Sequence, residues 1–387
     1  MAKKVHITLV GGQPTPVFQG ILYSNPDKVI YICSKQTIGK VNSIQKRLKA
    51  IQEKYKNKET TYIVPVFTES KSFVYDVEDV NSVTKAIKKL IAQEIDLTQD
   101  QVSMNLSSGV KLWTMLFQEL APQNTHIYCI SQNGKVLTVL GNSNEVNENV
   151  AFSMFTQCEL LDYPIKSYTA FEEYKTQDKQ DYATIEHLYQ QDNFYELLLK
   201  TIEEYLKYKT TYLQHDQYVG HDDAFIEYNK SQKQFSIFLN NKKYYVRGPH
   251  AASFLLEVGW LKYGIATLMA EIYGKENVYT NCTFKIKEDE TITIDVIVNT
   301  EHKLIFIACQ PKKMDEKTLA SFSSNVRNCG GLGSKLLVTT MHYDKDLEDL
   351  CNKKEVKYCS MYYQDDKQIT KKQLKEVLKS FINQANI

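Results

Sequence analysis

Short apolar runs alternate with amphipathic stretches along the first third of this chain. Val5–Val10 and Lys28–Cys33 read as buried strands, closed by Gly11-Gly12 and by Ser34-Lys35-Gln36-Thr37. Apolar positions at Val41, Ile44, Leu48 and Ile51, with lysines opposite, predict a helix through about Tyr55. TYIVPV at 61–66 reads as a third strand. Val83, Ile87, Leu90 and Ile91 mark a helix over 80–94. Val102–Leu106 is a further strand, after which Ser107-Ser108-Gly109 opens a helix through Leu120. Strands at 125–130 and 135–140 close the set. Buried strands alternating with helices predict a parallel, doubly wound α/β domain over residues 1–150.

The pattern changes beyond 150. Residues 169–209 are polar with helical spacing, and Phe225–Val246 reads as strands turning at Asn240-Asn241. We take 151–245 as a connecting segment of helices and strands, and 246–387 as a second α/β domain. That domain opens with a helix from Ala251 to about Tyr273 and continues as strands through Ile307. A helix over 316–326, a Gly-rich turn at 330–333 and a strand at 335–340 follow. Thr370 and Gln373 form a capping box for a terminal helix.

Within the second domain, Thr291–Lys313 predicts two strands and a turn. Asp295 lies in the first strand, and Ala308-Cys309-Gln310 ends the second. A hairpin sets residues about a dozen apart side by side, and alternate residues of a strand share a face. That is the layout of a metal-dependent PD-(D/E)xK nuclease core. There, two carboxylates and a main-chain carbonyl, here that of Cys309, hold Mg²⁺ or Mn²⁺, and a Lys or Gln orients water or phosphate. With Ala308, one carboxylate is missing. The alternative for Asp295 is structural, as a turn cap or a partner for a lysine. Glu257 and Glu271 are other acids that could face the hairpin, and Lys312 and Lys313 could touch a nucleic-acid backbone.

Composition narrows the classes. Net charge is +1 from 47 basic and 46 acidic residues, so nucleic-acid binding would need a local basic surface. Eight cysteines without a C-x-x-C pair argue for reduced thiols and against zinc. With no signal-like start and no membrane-length apolar run, the expectation is a soluble, cytoplasmic protein. His221-Asp222-Asp223 reads as a polar loop, and GGLGSK at 330–335 lacks P-loop spacing.

Three polar loops fall at one edge of the first sheet: Gly11-Gly12-Gln13-Pro14-Thr15, Ser34-Lys35-Gln36-Thr37, and Asn105-Leu106-Ser107-Ser108-Gly109-Val110-Lys111. Ligands of parallel α/β sheets bind beyond the strands' carboxyl ends, and helix N-termini favour phosphate. One such loop is ordinary turn chemistry; three together favour a ligand.

LVGGQPTP and MNLSSGVKLWTM resemble the ligand loops of CARF domains, the cyclic-oligoadenylate sensors of type III CRISPR immunity. Asn105, Gly109, Lys111 and Met115 stand at matching positions, whereas Ser108 and Val110 depart. Gly259-Trp260-Leu261, Ile294-Asp295-Val296 and the 330–333 turn resemble the nuclease half of the CARF, PD-(D/E)xK subfamily. The resemblance implies a Rossmann-like CARF sensor domain joined to a restriction-endonuclease-like domain. It also implies a homodimer, activation by cyclic tetraadenylate, and cleavage of single-stranded DNA or RNA with Mn²⁺ or Mg²⁺. It implies Glu-Cys-Lys at 308–310 and Glu at 262, where this chain has Ala308-Cys309-Gln310 and Lys262. An introduced substitution or natural loss would explain the alanine. The expectation is an impaired nuclease. The alternatives are a ligand-controlled binding protein on a degenerate nuclease fold, or a ring nuclease acting in the sensor domain.

Overall fold

The computed structural model describes residues 2–55, 67, 69–75, 79–130, 136–140, 154–160, 163–173, 217–221, 224–247, 259–286, 290–300, 304–310, 314–330, 334–339, 343–360 and 369–383, with isolated residues between 181 and 197 and Leu255. The first sheet holds β1 (Lys4–Leu9), β2 (Lys28–Cys33), β3 (Glu69–Val74), β4 (Gln101–Asn105), β5 (His126–Ile130) and β6 (Val136–Leu140). Their spatial order is 3-2-1-4-5-6. β1 to β5 run parallel and β6 is antiparallel to β5.

Helices cover both faces. α1 (Thr15–Ser24) and α2 (Ile38–Tyr55) pack Val17, Phe18, Val41 and Leu48 against Val29 and Tyr31. α3 (Val80–Glu94) and α4 (Lys111–Glu119) pack Val83, Ile87, Trp113 and Phe117 against Ile7 and Met104. This is the doubly wound arrangement expected. The expected strand at 61–66 lies outside the described residues; β3, ESKSFV at 69–74, is a strand the sequence pattern does not predict. α1 replaces an expected loop at Thr15.

α5 (Met154–Leu160) joins the two halves. Met154 and Cys158 enter the core of the later sheet, while Leu160 enters the α1/α2 side of the first. Arg47 on α2 donates to the Leu160 carbonyl at 2.8 Å.

The later sheet comprises β7 (Ile165–Ala170), β12 (Val278–Lys285), β13 (Thr291–Asn299), β14 (Leu304–Gln310), β15 (Ser334–Thr339) and β16 (Lys357–Ser360), in the order 16-15-14-13-12-7. The hairpin expected at 291–313 is β13 and β14, antiparallel with Val296 opposite Ile307. α6 (Gly259–Tyr273) covers one face through Leu261, Ile265 and Leu268. α7 (Glu316–Gly330) lies on the other, with Val326 against Phe306. α8 (Lys345–Lys353) and α9 (Lys371–Asn383) complete the domain. Thr370 and Gln373 cap α9 reciprocally: the Thr370 amide donates to Gln373 Oε1 and the Gln373 amide to Thr370 Oγ1.

A separate antiparallel sheet runs β8 (Gln217–His221), β9 (Ala224–Asn229), β10 (Gln234–Leu239) and β11 (Lys242–Val246). Asn240 and Asn241 both adopt left-handed φ, 52° and 61°, in the two-residue turn between β10 and β11. One face of this sheet shares a core with α6. Among the described residues no helix is long and apolar enough to cross a membrane.

Candidate functional site

Two places gather the residues singled out in the sequence. The first is the carboxyl edge of the first sheet. The chain leaves β1 toward β2 on one side, and β4 lies on the other, so strand order reverses between β1 and β4. A crevice opens at such a reversal. The loops after β1 and β4 touch there: a Cβ built on Gly11 would lie 2.7 Å from the Gly109 amide nitrogen. Gly109 itself has φ +95°, and its Cβ would stand 2.9 Å from that of Leu9. Glycine is needed at both positions for close approach, and at 109 for the backbone as well.

The loop residues divide by burial. Asn105 is 1% exposed and organises the edge. Its Nδ2 donates to the Pro16 carbonyl at 2.8 Å, and its Oδ1 accepts the Ser107 amide at 3.0 Å and the Ser107 hydroxyl. Ser107 Oγ in turn accepts the Ile130 amide. Thr15, Ser34 and Leu106 are buried; Gly11, Pro14, Thr37, Ser107 and Ser108 are half-buried. Thr37 Oγ1 accepts the Ser34 amide at 3.0 Å, shaping the entry to α2. Gly12, Gln13, Lys35, Gln36, Gly109 and Lys111 face outward and are exposed.

The helices α1, α2 and α4 start at this edge, and none carries an acidic residue in its first turn. α1 and α4 also lack a side-chain cap at the N-terminus. Uncapped helix starts without acids leave N–H groups and partial positive charge for an anion. Lys40, in the first turn of α2, adds a cation outside the three loops expected from sequence; its ammonium donates to the Gly12 carbonyl. The signal for it is its place one turn after the Ser34–Thr37 loop.

The second place is the β13/β14 hairpin. Asp295 and Ala308 lie one step beyond the Val296–Ile307 pair. With Gln310 they line an open cavity of about 650 Å³ whose other wall is α7, through Thr318, Ser321 and Phe322. Both oxygens of Asp295 are engaged. Oδ1 lies 2.9 Å from Lys262 Nζ, and Oδ2 accepts the Cys309 amide at 2.8 Å. Lys262 comes from the first turn of α6. Its ammonium also reaches Asn281 Oδ1 at 3.4 Å. Asn281 has φ 50°, and the register of β12 against β7 shifts between Thr280 and Thr283, beside it.

The donor set does not fit a divalent ion. Such an ion takes several oxygen ligands, usually more than one carboxylate; here Asp295 faces an ammonium, and Asp315, also in the cavity lining, accepts the Thr318 amide at 2.7 Å. Among the described residues no group of three or more His, Cys, Asp or Glu could hold a metal. Burial first, then the neighbouring Asp295 carboxylate, pushes the Cys309 thiol well above its usual pKa, so it stays protonated. The expected role of Asp295, Ala308 and the Cys309 carbonyl as a metal centre therefore meets Lys262 in the way; the structural alternative for Asp295, a lysine partner, is the contact seen. Glu271 pairs instead with Lys375 at 2.7 Å. Glu257, Lys312, Lys313, Asp222 and Asp223 lie outside the described residues.

No protein-family model matches this chain, and no curated protein matches it. Two solved structures share its fold along its length. Can2 from Sulfobacillus thermosulfidooxidans, solved in complex with cyclic tetra-adenylate, superposes with a TM-score of 0.63 at 13% identity. The match covers 98% of this chain and 97% of that one. A crystal structure of a Vibrio cholerae protein gives 0.65 at 14% identity, covering 99% and 98%. The chain thus has the mixed α/β architecture expected, a largely parallel, doubly wound sheet followed by further sheets.

Proposed function

We propose that this chain is a cyclic-tetraadenylate-responsive effector of type III CRISPR defence whose nuclease-fold domain, as it stands, does not cut. Residues 1–150 form the sensor, 151–245 the connecting segment and 246–387 the nuclease-fold domain, with β7 lent to the latter's sheet. Support for the sensor comes from the crevice between β1 and β4, its acid-free helix starts, and the fold shared with a structure that holds cyclic tetra-adenylate. A ring of four adenylates has near two-fold symmetry, so a homodimer would present the same loops to each half. Gln13, Lys35 and Lys111 would meet bases and phosphates, while Asn105 and Ser107 hold the loops in place.

The observation that carries the non-cutting reading is the Lys262–Asp295 ion pair. An ammonium sits where a Mg²⁺ or Mn²⁺ would need a second carboxylate, and Ala308 supplies none. A ligand-controlled binder is the reading this favours over an active nuclease. Calorimetry with cyclic tetraadenylate tests the sensor: one ring per two chains is expected. No binding, or one ring per chain, would overturn it. Loss of the ring during incubation would point to the ring nuclease instead.

A further inference from the structure

We propose that α5 is a joint that carries movement of α2, at the carboxyl edge of the first sheet, to the α7 wall of the Asp295 cavity, with Arg47 as its positioning residue. The helix has seven residues, Met154–Leu160. A helix that short does not hold itself together in water, so its state is set by what packs against it. Two cores share it. Leu160 belongs with Val41, Ile44 and Leu48 of α2, whereas Met154 and Cys158 belong with Phe306 and Val326 of the later domain.

Named contacts fix both ends of the path. At its start, α2 follows the Ser34–Thr37 loop, and the Lys40 ammonium donates to the Gly12 carbonyl. Arg47 comes about two helical turns and about 10 Å further along, so both cations project from one side of α2. Arg47 Nη1 donates to the Leu160 carbonyl at 2.8 Å. That carbonyl ends α5, where the last turn lacks helical partners, and a guanidinium there satisfies it and complements the helix dipole. At the far end, α5 touches β7 and α7. Phe322 of α7 packs against the core that holds Met154 and Cys158, and it also lines the cavity beside Ser321 and Asn325.

A short helix held from two sides is a two-state element, seated or unseated, because packed cores switch between arrangements rather than deform smoothly. A shift of α2 against the first sheet bears on Arg47 and so on the seating. An unseated α5 withdraws Met154 and Cys158 from the later core and leaves Phe322 less supported at the cavity wall. This coupling belongs to the fold, whichever ligand occupies the first-sheet edge. Cyclic tetraadenylate enters only as a probe, on the strength of the function proposed above.

The test is hydrogen exchange, read by mass spectrometry, on the full-length chain and on Arg47→Met and Arg47→Lys. Methionine keeps an apolar stem and removes the donors, whereas lysine keeps a donor for the carbonyl. Without ligand, Arg47→Met should speed exchange about ten-fold in α5 and in the 319–326 stretch of α7, through loss of one charge-assisted hydrogen bond from the seated state. Amides of β1 and β4 should keep their protection, and Arg47→Lys should lie closer to the unaltered chain. Melting curves establish that the variants are folded; Arg47→Lys carries the comparison if Arg47→Met is not. Unchanged exchange in folded Arg47→Met overturns the proposal. So does faster exchange confined to α2 and α5, which a local brace would give. With saturating cyclic tetraadenylate, exchange in α7 should change in the unaltered chain and not in Arg47→Met, with the ring bound to both. An equal response in both, or none in an unaltered chain that binds the ring, also overturns the proposal. Failure of the ring to bind counts against the proposed function alone, and the ligand-free comparison still decides the role of α5.

Discussion

Lys262 Nζ lies 2.9 Å from Asp295 Oδ1, joining the first turn of α6 to the β13/β14 hairpin. Both side chains are about one-fifth exposed, 21% and 17%. A charge pair in that setting is screened less than a surface pair, and removing one partner strands the other. The other Asp295 oxygen accepts the Cys309 amide at 2.8 Å, so both carboxylate oxygens are engaged.

Removing either partner should therefore destabilise the domain. Lys262→Met and Asp295→Asn are each expected to cost about 1–3 kcal/mol, between surface and fully buried pairs. The double variant should cost less than the sum, because the second change removes a charge already stranded. Urea unfolding of all four proteins checks this. Additive losses would mean that the two side chains do not act as a pair.

At the carboxyl edge of the first sheet, where the proposed ligand would sit, two substitutions should separate binding from folding. Lys111→Ala should weaken cyclic tetraadenylate by about 1.5–3 kcal/mol, a charge-assisted hydrogen bond, without moving Tm, because Lys111 is exposed. Asn105→Ala should lower Tm, because it strands the Pro16 carbonyl and the Ser107 amide in a site 1% exposed. Calorimetry beside thermal melting on the same preparations distinguishes the two outcomes.

Gly109→Ala should destabilise the first domain by about 1–3 kcal/mol. Its φ of +95° disfavours any L side chain, and the new methyl would meet Leu9. Gly39, with open space about its Cβ position, is the internal control: Gly39→Ala should leave stability unchanged or slightly raised. Chemical denaturation of both variants provides the comparison.

His6 should make the first domain acid-sensitive. It is fully buried on β1, with Nδ1 3.0 Å from Ser103 Oγ, and burial lowers its pKa to about 3. The unfolded chain takes up this proton near pH 6.5, while the folded chain refuses it until about pH 3. Acid thus favours the unfolded state across that window, and stability should fall by up to about 1.4 kcal/mol per pH unit below 6.5. His6→Asn removes the titrating group, so its Tm should decline less between pH 6.5 and 4.5. A parallel decline in both proteins would refute the assignment.

Much of this architecture is legible in the sequence because burial writes periodicity. The 80–94 helix has the bounds its pattern predicts, since Val83, Ile87, Leu90 and Ile91 fall on one face. The 291–310 hairpin is equally plain. α1 escapes the pattern because TPVFQGILYS has no charged face: it is buried on most sides and follows a Pro-bearing turn. β3 escapes it because ESKSFV is an edge strand with mostly polar, partly exposed residues. Hairpin spacing points to Asp295, and a lysine partner is one of the roles open to it. That the lysine is Lys262 is not legible, since the contact crosses from α6 to β13 and depends on the kink at Asn281. The sequence offers Asn105 as a ligand contact, but its side chain is spent inside the fold, a distinction only packing reveals.

The most direct test of the proposal that Lys262 closes a nuclease-type metal site compares four full-length proteins: the chain as it stands, Ala308→Glu, Lys262→Glu, and both changes together. Each is titrated with Mn²⁺ by electron paramagnetic resonance, then assayed for cleavage of single-stranded DNA and RNA with cyclic tetraadenylate. The cavity beside Ala308 has room for the added side chain. The account predicts no bound Mn²⁺ and no cutting by the unaltered chain, and none by Ala308→Glu, whose new carboxylate would still meet the Lys262 ammonium. Metal binding should return only in the double variant, where two glutamates join Asp295. Bound Mn²⁺ and ligand-stimulated cutting by the unaltered chain would contradict it.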